Sequence, residues 1–270
     1  LISLAIKYSI LSAFRIPDPN LPLINLPSRV AIGKSHSIAC NAVLNPENPS
    51  YLEIGIAHGY TFEAVQIVRK VGIDPFLKCK LRSNRHDELK LLEVTSDDFF
   101  RSKDSNEKFD IIFIDGHHTF QQSYKDIVNS LNSLKMQGVI LLDDVIPGDQ
   151  YSALPDIDLC KNMRKANGLT EETWSGDTFK ALVMLTSLHP TIQVETIISP
   201  NHPQALIWNK GNYHRFIEIE EDILEFPKFE GLNYLEIFKD LIKMDSIFHF
   251  NMEWAALDAF QKSRKSELPF

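Results

Sequence analysis

The chain has 270 residues, 44% of them hydrophobic and 24% charged, so a globular protein of one α/β-sized domain with extensions is expected. A formal net charge of −8 argues against broad, non-specific binding to nucleic acid, which needs Lys and Arg to displace counterions, though it leaves room for a local basic patch. The three cysteines, Cys40, Cys79 and Cys160, form no CxxC pair and stand beside no His at zinc-ligand spacing, so reduced thiols in a cytoplasmic protein are expected.

Residues 1–14 are apolar apart from Lys7, Tyr8 and three serines, and Arg15, Pro17 and Pro19 stop the run. It is shorter than the ~20 residues a membrane span needs, so no membrane association is expected. A signal-peptide core is the alternative, but no small-residue cleavage site follows it. A helix packed on the domain or on a partner subunit is expected instead. The chain opens on Leu1, as a fragment of a longer protein would. Residues 15–50 are rich in Pro and Asn and read as an irregular entry segment.

From Tyr51 to about residue 210, short β-type runs alternate with helix-period segments. That alternation predicts a doubly wound α/β fold, a mostly parallel sheet with helices on both faces. Tyr51-Leu52-Glu53-Ile54 reads as the first strand, and Ala64, Ile67, Val68 and Val71 as one face of a helix. Gly72-Ile73-Asp74-Pro75 ends a second strand, and Leu91-Leu92-Glu93-Val94 forms a third. Phe109 to Asp115 is a fourth, and Phe120, Tyr124, Ile127, Val128, Leu131 and Leu134 share a helical face after it. Gly138 to Asp144 is a fifth strand, apolar enough to be buried on both faces. A helix over Asp177–Leu188 and strands at Gln193–Ile198 and Ala205–Trp208 follow. In the tail, Leu235, Phe238 and Ile242 predict a helix, with Phe248, Phe250 and Trp254 as aromatic anchors. The organisation is thus an N-terminal extension (1–50), a central domain (51–212) and a C-terminal helical extension (213–270) serving as a cap or a dimer contact.

Glu53-x-Gly55-x-x-x-Gly59 lies between a strand and a helix, where glycines let the backbone turn tightly and a ligand approach. A dinucleotide site would want GxGxxG, and Ala57 stands where its second glycine would be. Alone, the loop reads equally as a turn. Asp74, 21 residues after Glu53, ends the next strand, where an acid in nucleotide-binding α/β folds accepts from ribose hydroxyls. Thr95-Ser96-Asp97-Asp98 reads either as a helix N-cap or as a border for adenine.

Asp115-Gly116-His117-His118 and Asp143-Asp144 follow the fourth and fifth strands, on the rim where open α/β sheets bind ligands. Three carboxylates at one rim call for compensation, and a divalent cation such as Mg²⁺ would provide it. The plainer alternative is helix capping and water binding. Of the two histidines, one is expected to be solvated and the other to serve as a general base. Trp174 to Lys180 reads as a helix start preceded by an aromatic residue, and Pro147 to Tyr151 as a mobile loop over the site.

Taken together, Tyr51 to Leu142 resembles a class I S-adenosylmethionine (SAM)-dependent methyltransferase. The run FDIIFIDGHHTFQQSYKDIVNSLNSLKMQGVILLDDV is the more specific part, similar to the small-molecule O-methyltransferase group of the catechol and macrolide-sugar enzymes. Phe120 replaces the usual Tyr of IDGxHxY, and Gln137-Gly138 the usual Gly-Gly. The resemblance implies a Rossmann-like, seven-stranded sheet with a reversed last strand. It implies SAM along Glu53, Gly55, Ile56, Ala57, Gly59 and Asp74, with Ser96, Asp97 and Asp115 completing the site. It implies Mg²⁺ at Asp115, Asp143 and Asp144, and His118 or Asp115 as the base. A small-molecule hydroxyl is the expected acceptor, and a homodimer the expected assembly. Two other readings stay open at this point, an NAD-type oxidoreductase and a non-catalytic partner subunit of the same fold.

Overall fold

A computed structural model of the chain describes residues 49–65, 67, 69–79, 88–171, 173–197, 203–210, 216–238, 249–251, 256, 258–260 and 262–263. The expected N-terminal helix and entry segment, and the aromatic anchors Phe248 and Trp254, lie outside the described residues. The core is a single sheet. In chain order its strands are β1 (Ser50–Ile54), β2 (Arg69–Ile73), β3 (Leu89–Leu92), β4 (Phe109–Ile114), β5 (Leu134–Leu142), β6 (Ile192–Ile197), β7 (Gln204–Asn209) and the two-residue β8 (Phe250–Asn251). They are arranged β3-β2-β1-β4-β5-β7-β6-β8. β1 to β5 pair in parallel, and β7 runs antiparallel to both β5 and β6. This is the Rossmann-like, mostly parallel sheet that the resemblance implies, with β7 as the reversed strand. β8 adds a short parallel edge on β6.

Helices bounded within the described residues are α1 (Tyr60–Ala64), α2 (Ser96–Ser102), α3 (Phe120–Ser133), α4 (Ile157–Ala166), α5 (Phe179–Leu188), α6 (Ile219–Ile223), α7 (Phe226–Glu230) and α8 (Tyr234–Phe238). Strand side chains alternate between the faces, so each face gathers its own apolar layer. Leu52, Ile54, Ile112 and Ile114 pack with Tyr124, Ile127 and Leu182 on one side. Tyr51, Ile111 and Phe113 pack with Phe62, Trp208 and Phe260 on the other. β4 is buried along its whole length, as a central parallel strand requires. No helix among the described residues is long and apolar enough to cross a membrane.

Several elements differ from the sequence-based expectation. The first helix ends at Ala64, and Val71 belongs to β2. The cluster of Val65, Ile67, Val71 and Ile73 is β-branched and favours strand over helix. Lys70 then reaches back from β2, and its Nζ donates to the Phe62 and Val65 carbonyls at 2.6 and 3.2 Å. Leu134, expected on the long helical face, is the first residue of β5, which follows α3 with no loop between. In the tail, the described residues 217–238 form three short helices. Phe226 lies against Phe120 and Tyr124, and Phe238 against Phe179, so the tail covers α3 and α5.

Candidate functional site

The carboxyl ends of β1, β2, β4 and β5 are stitched together by backbone bonds. Gly55 N donates to Ile73 O, Asp115 N to Ile54 O and Asp143 N to Ile114 O, at 2.9, 2.8 and 3.0 Å. The residues immediately after four strands therefore stand in one row. A cavity of about 590 Å³ opens above it. Gly55, Ala57, Asp74, Ser96, Asp97, Asp115 and His118 line this cavity, and each was a sequence-based candidate.

The glycine loop does two things. Gly55, at φ +87°, turns the chain so closely over β4 that an added Cβ would lie 2.0 Å from the Asp115 carbonyl. Its glycine is thus required by strand packing as much as by a ligand. Ala57 takes a positive φ of 45°, which an L side chain seldom adopts. Asp74 holds it there, because its Oδ2 accepts from Ala57 N at 2.8 Å and its Oδ1 from Phe76 N at 2.7 Å. Ile56 and Glu53 face away from the cavity. Ile56 is buried in the second apolar layer, and the Glu53 carboxylate accepts from the Tyr51 hydroxyl at 2.7 Å. Gly59 caps α1, with Cys79 beside it, and is not part of the lining.

At the far end, Thr95 is the N-cap of α2, its hydroxyl accepting from Asp98 N at 3.1 Å. That leaves Ser96 and Asp97 turned toward the cavity. Sequence reasoning missed their partners on α3, Gln122 and Asp126, which also line it. Gln122 Nε2 donates to Ser96 Oγ, Asp97 Oδ1 and Asp126 Oδ1 at 3.1, 3.1 and 3.0 Å. Asp126 is 1% exposed. Burial pushes its carboxyl up to about 6, with Asp97 adding to the shift and Ser96, Gln122 and Lys125 opposing it. The signal was present in the sequence as the i, i+4 spacing of Gln122 and Asp126.

The acidic rim gathers around a histidine. His118 Nε2 lies 3.7 Å from Asp115 Oδ1 and 3.8 Å from Asp144 Oδ2. Ligand atoms of these three residues all fall within 4.8 Å of one another. Asp144 reaches this position through a left-handed backbone, φ 55°, immediately beyond β5. Asp143, expected beside them, is directed elsewhere. Its Oδ1 accepts from Asp144 N at 3.0 Å and from Gln204 Nε2 at 3.2 Å, beneath β7. His117 is the exposed member of the pair.

A turn before α5 props up the histidine loop. Gly176, at φ +63°, lies so close that an added Cβ would stand 1.7 Å from the His118 carbonyl oxygen. Trp174 meets the His118 ring edge-on at 5.4 Å and donates from Nε1 to Leu154 O. Asp177 Oδ1 accepts from Phe120 N at 2.7 Å, satisfying the first turn of α3. The loop after Asp144, expected to be mobile, is tied down. The Asp149 carboxylate accepts from Tyr151 N and Ser152 N and pairs with the buried Arg164 at 2.7 Å.

Residues 33–145 match the family described as Methyltransferase domain. That match spans the central segment and less than half of the chain. No curated protein matches the chain. Solved structures of similar shape include an O-methyltransferase from Bacillus cereus in complex with SAH, at 14% identity and TM-score 0.42, covering 77% of this chain and 90% of that one. The SAH-bound methyltransferase PaMTH1 from Podospora anserina aligns at 15% identity and TM-score 0.44, over 77% and 96% of the two chains. The N-methyltransferase NodS from Bradyrhizobium japonicum aligns at 15% identity and TM-score 0.40, over 66% and 97%.

Proposed function

We propose that this chain is a SAM-dependent methyltransferase that moves a methyl group from SAM to a hydroxyl of a small molecule. The observation that carries the reading is one cavity lined at once by the glycine loop, Asp74, Ser96, Asp97, Asp115 and His118. The residues fit the cofactor. Asp74 has two carboxylate oxygens, each with one backbone donor, and so keeps lone pairs for ribose hydroxyls. Ala57 and Gly55 offer backbone without bulk. When bound, SAM supplies an already activated methyl group, so the protein's task is alignment and removal of one proton.

His118 would take that proton. It lines the cavity, is half-buried, and is fixed by Trp174 at its ring and Gly176 at its carbonyl. Asp115 and Asp144 would hold a divalent cation, Mg²⁺ or Mn²⁺, since paired carboxylates suit hard ions. Such an ion lowers the pKa of an oxygen it binds. The donor set fits with His118 at its edge, because an imidazole suits Mg²⁺ poorly and serves better as base.

Calorimetry with S-adenosylhomocysteine (SAH) tests the cofactor. Wild type binds, and Asp74→Ala weakens binding by about tenfold or more, through loss of a ribose contact and of the Ala57 tether. NADH does not compete. Unchanged affinity in Asp74→Ala removes the ribose assignment, and competition by NADH turns the reading toward an oxidoreductase. For the metal, chelation abolishes turnover and Mg²⁺ restores it; activity indifferent to chelators leaves His118 acting without an ion.

A further inference from the structure

After β5 the chain runs out through α4 and returns to the turn before α5. No residue of this excursion, 149–175, lines the cavity. Both of its legs nevertheless stand beside the histidine site. The outgoing leg begins shortly after Asp144, whose carboxylate lies 3.8 Å from His118. The returning leg carries Trp174, whose ring meets the His118 ring at 5.4 Å.

The two legs are joined at their base. Ser175 N donates to Ser152 O at 3.0 Å, and Trp174 Nε1 donates to Leu154 O at 2.7 Å. Arg164, on α4 between them, forks across the same two legs. Its Nη2 donates to Asp149 Oδ2 on the outgoing leg at 2.7 Å and to Thr173 Oγ1 on the returning leg at 3.2 Å. Its Nη1 donates to Glu171 Oε2 at 3.3 Å. The other Asp149 oxygen accepts from Tyr151 N and Ser152 N, so Arg164 grips a carboxylate that already sets the shape of the outgoing leg.

The Arg164 side chain is only 3% exposed, and among the described residues its Nε has no partner. Burying a guanidinium with one donor unpaired costs stability, and a well-packed apolar residue would fasten α4 without that cost. An apolar residue cannot supply direction. A planar fork holds its acceptors at set angles, and the residue after its Thr173 acceptor is Trp174.

We propose that Arg164 is a positioning residue for methyl transfer, which locks the two legs together and so fixes, through Trp174, the place of the His118 ring. This rests on the reading of His118 as the group that takes the acceptor's proton. Misplacing such a group by about 1 Å costs about a hundredfold in rate.

The test reads the His118 ring directly. In the full chain with SAH and a chelator at one fixed pH, the ring carbon–proton signal of His118 is followed by NMR and assigned by its loss in His118→Gln. Trp174→Leu gives the signal's place without the indole. Arg164→Met moves the signal toward that place while SAH affinity by calorimetry stays within about twofold. Arg164→Lys keeps the pair with Asp149 but cannot fork, so the signal moves part of the way. If Arg164→Met fails to fold, Arg164→Lys decides. A His118 signal at its wild-type place in the folded variants overturns the proposal and leaves Arg164 as a fastening for α4. So does a loss of SAH affinity of about tenfold or more, which would mean that the whole edge of the sheet has moved. If wild type does not bind SAH, the SAM reading itself falls; SAH binding with an unmoved His118 signal removes only the role of Arg164.

Discussion

Gly55 and Gly176 each stand where a methyl group would collide with a backbone carbonyl, of Asp115 at 2.0 Å and of His118 at 1.7 Å. Both also hold positive φ. Gly176→Ala is therefore expected to cost about 3 kcal/mol of stability by urea denaturation and, in the surviving fold, to lower kcat about a hundredfold by shifting His118. Gly148 is the control, since nothing lies within 4 Å of its added Cβ, and Gly148→Ala should be silent in both measurements. Asp126 gives a pH signature. Its carboxyl is raised by burial from 3.8 to about 6, so the folded state holds the proton more tightly than the unfolded one. Native stability then falls as pH rises from about 4 through about 6, the reverse of a salt-bridged aspartate. Asp126→Asn should match wild type near pH 4 and exceed it by about 2 kcal/mol at pH 8, read from denaturation midpoints at each pH. A variant that gains nothing at pH 8 would show that the carboxylate is well compensated in place.

Among the elements, α3 does the most connecting. Its polar flank carries Gln122 and Asp126 to the cavity, while its apolar flank takes the tail. Buried Tyr124 donates to Asp222 Oδ2 at 2.7 Å, and His189 Nε2 stands 2.9 Å from the same oxygen. Burial and the Asp222 carboxylate hold the Tyr124 phenol well above its ordinary range, so it stays a donor. The three side chains come from α3, α6 and the end of α5, and they fasten the tail to the domain. Tyr124→Phe should cost about 1 kcal/mol, and Asp222→Ala about 2 kcal/mol because it strands a buried hydroxyl. Hydrogen exchange should show the loss concentrated in residues 217–238. The sheet and the carboxyl-edge candidates were legible because β4 and β5 are near-continuous apolar runs that end on Asp115 and Asp143. Asp143 and Asp144 are adjacent, and strand alternation alone could not show that a left-handed turn at Asp144 sends only the second carboxylate to His118. The tail's packing on Phe120 and Tyr124 was equally hidden, since it depends on contacts some hundred residues apart in sequence. Gly176 was read only as part of a helix start, because its neighbour in space, His118, is distant in the chain.

At the scale of the molecule, the proposed cofactor would be held across the ends of four strands and two helices, which links its binding to global stability. SAH at about a hundred times its Kd should add about 2.7 kcal/mol, a rise in Tm of roughly 5 to 10 °C for a chain of this size, whereas NADH should leave the melting curve where it was. The same sheet contains one place where its pairing goes out of step. Phe109 pairs with Leu134, but Ile111 pairs with Val139, so two steps along β4 meet five along β5. The excess bulges out at Lys135 to Gly138, with Met136 exposed and Lys135 fastened to Asp110 at 2.7 Å. That bulge is an expansion joint. It lies between the helix that brings Gln122 and Asp126 to the cavity and the strand that delivers Asp144 to His118, and it uncouples their lengths. Removing Met136 should be taken up there and leave SAH affinity unchanged, while removing one residue from Val139 to Leu142 should drag Asp144 off His118 and abolish turnover.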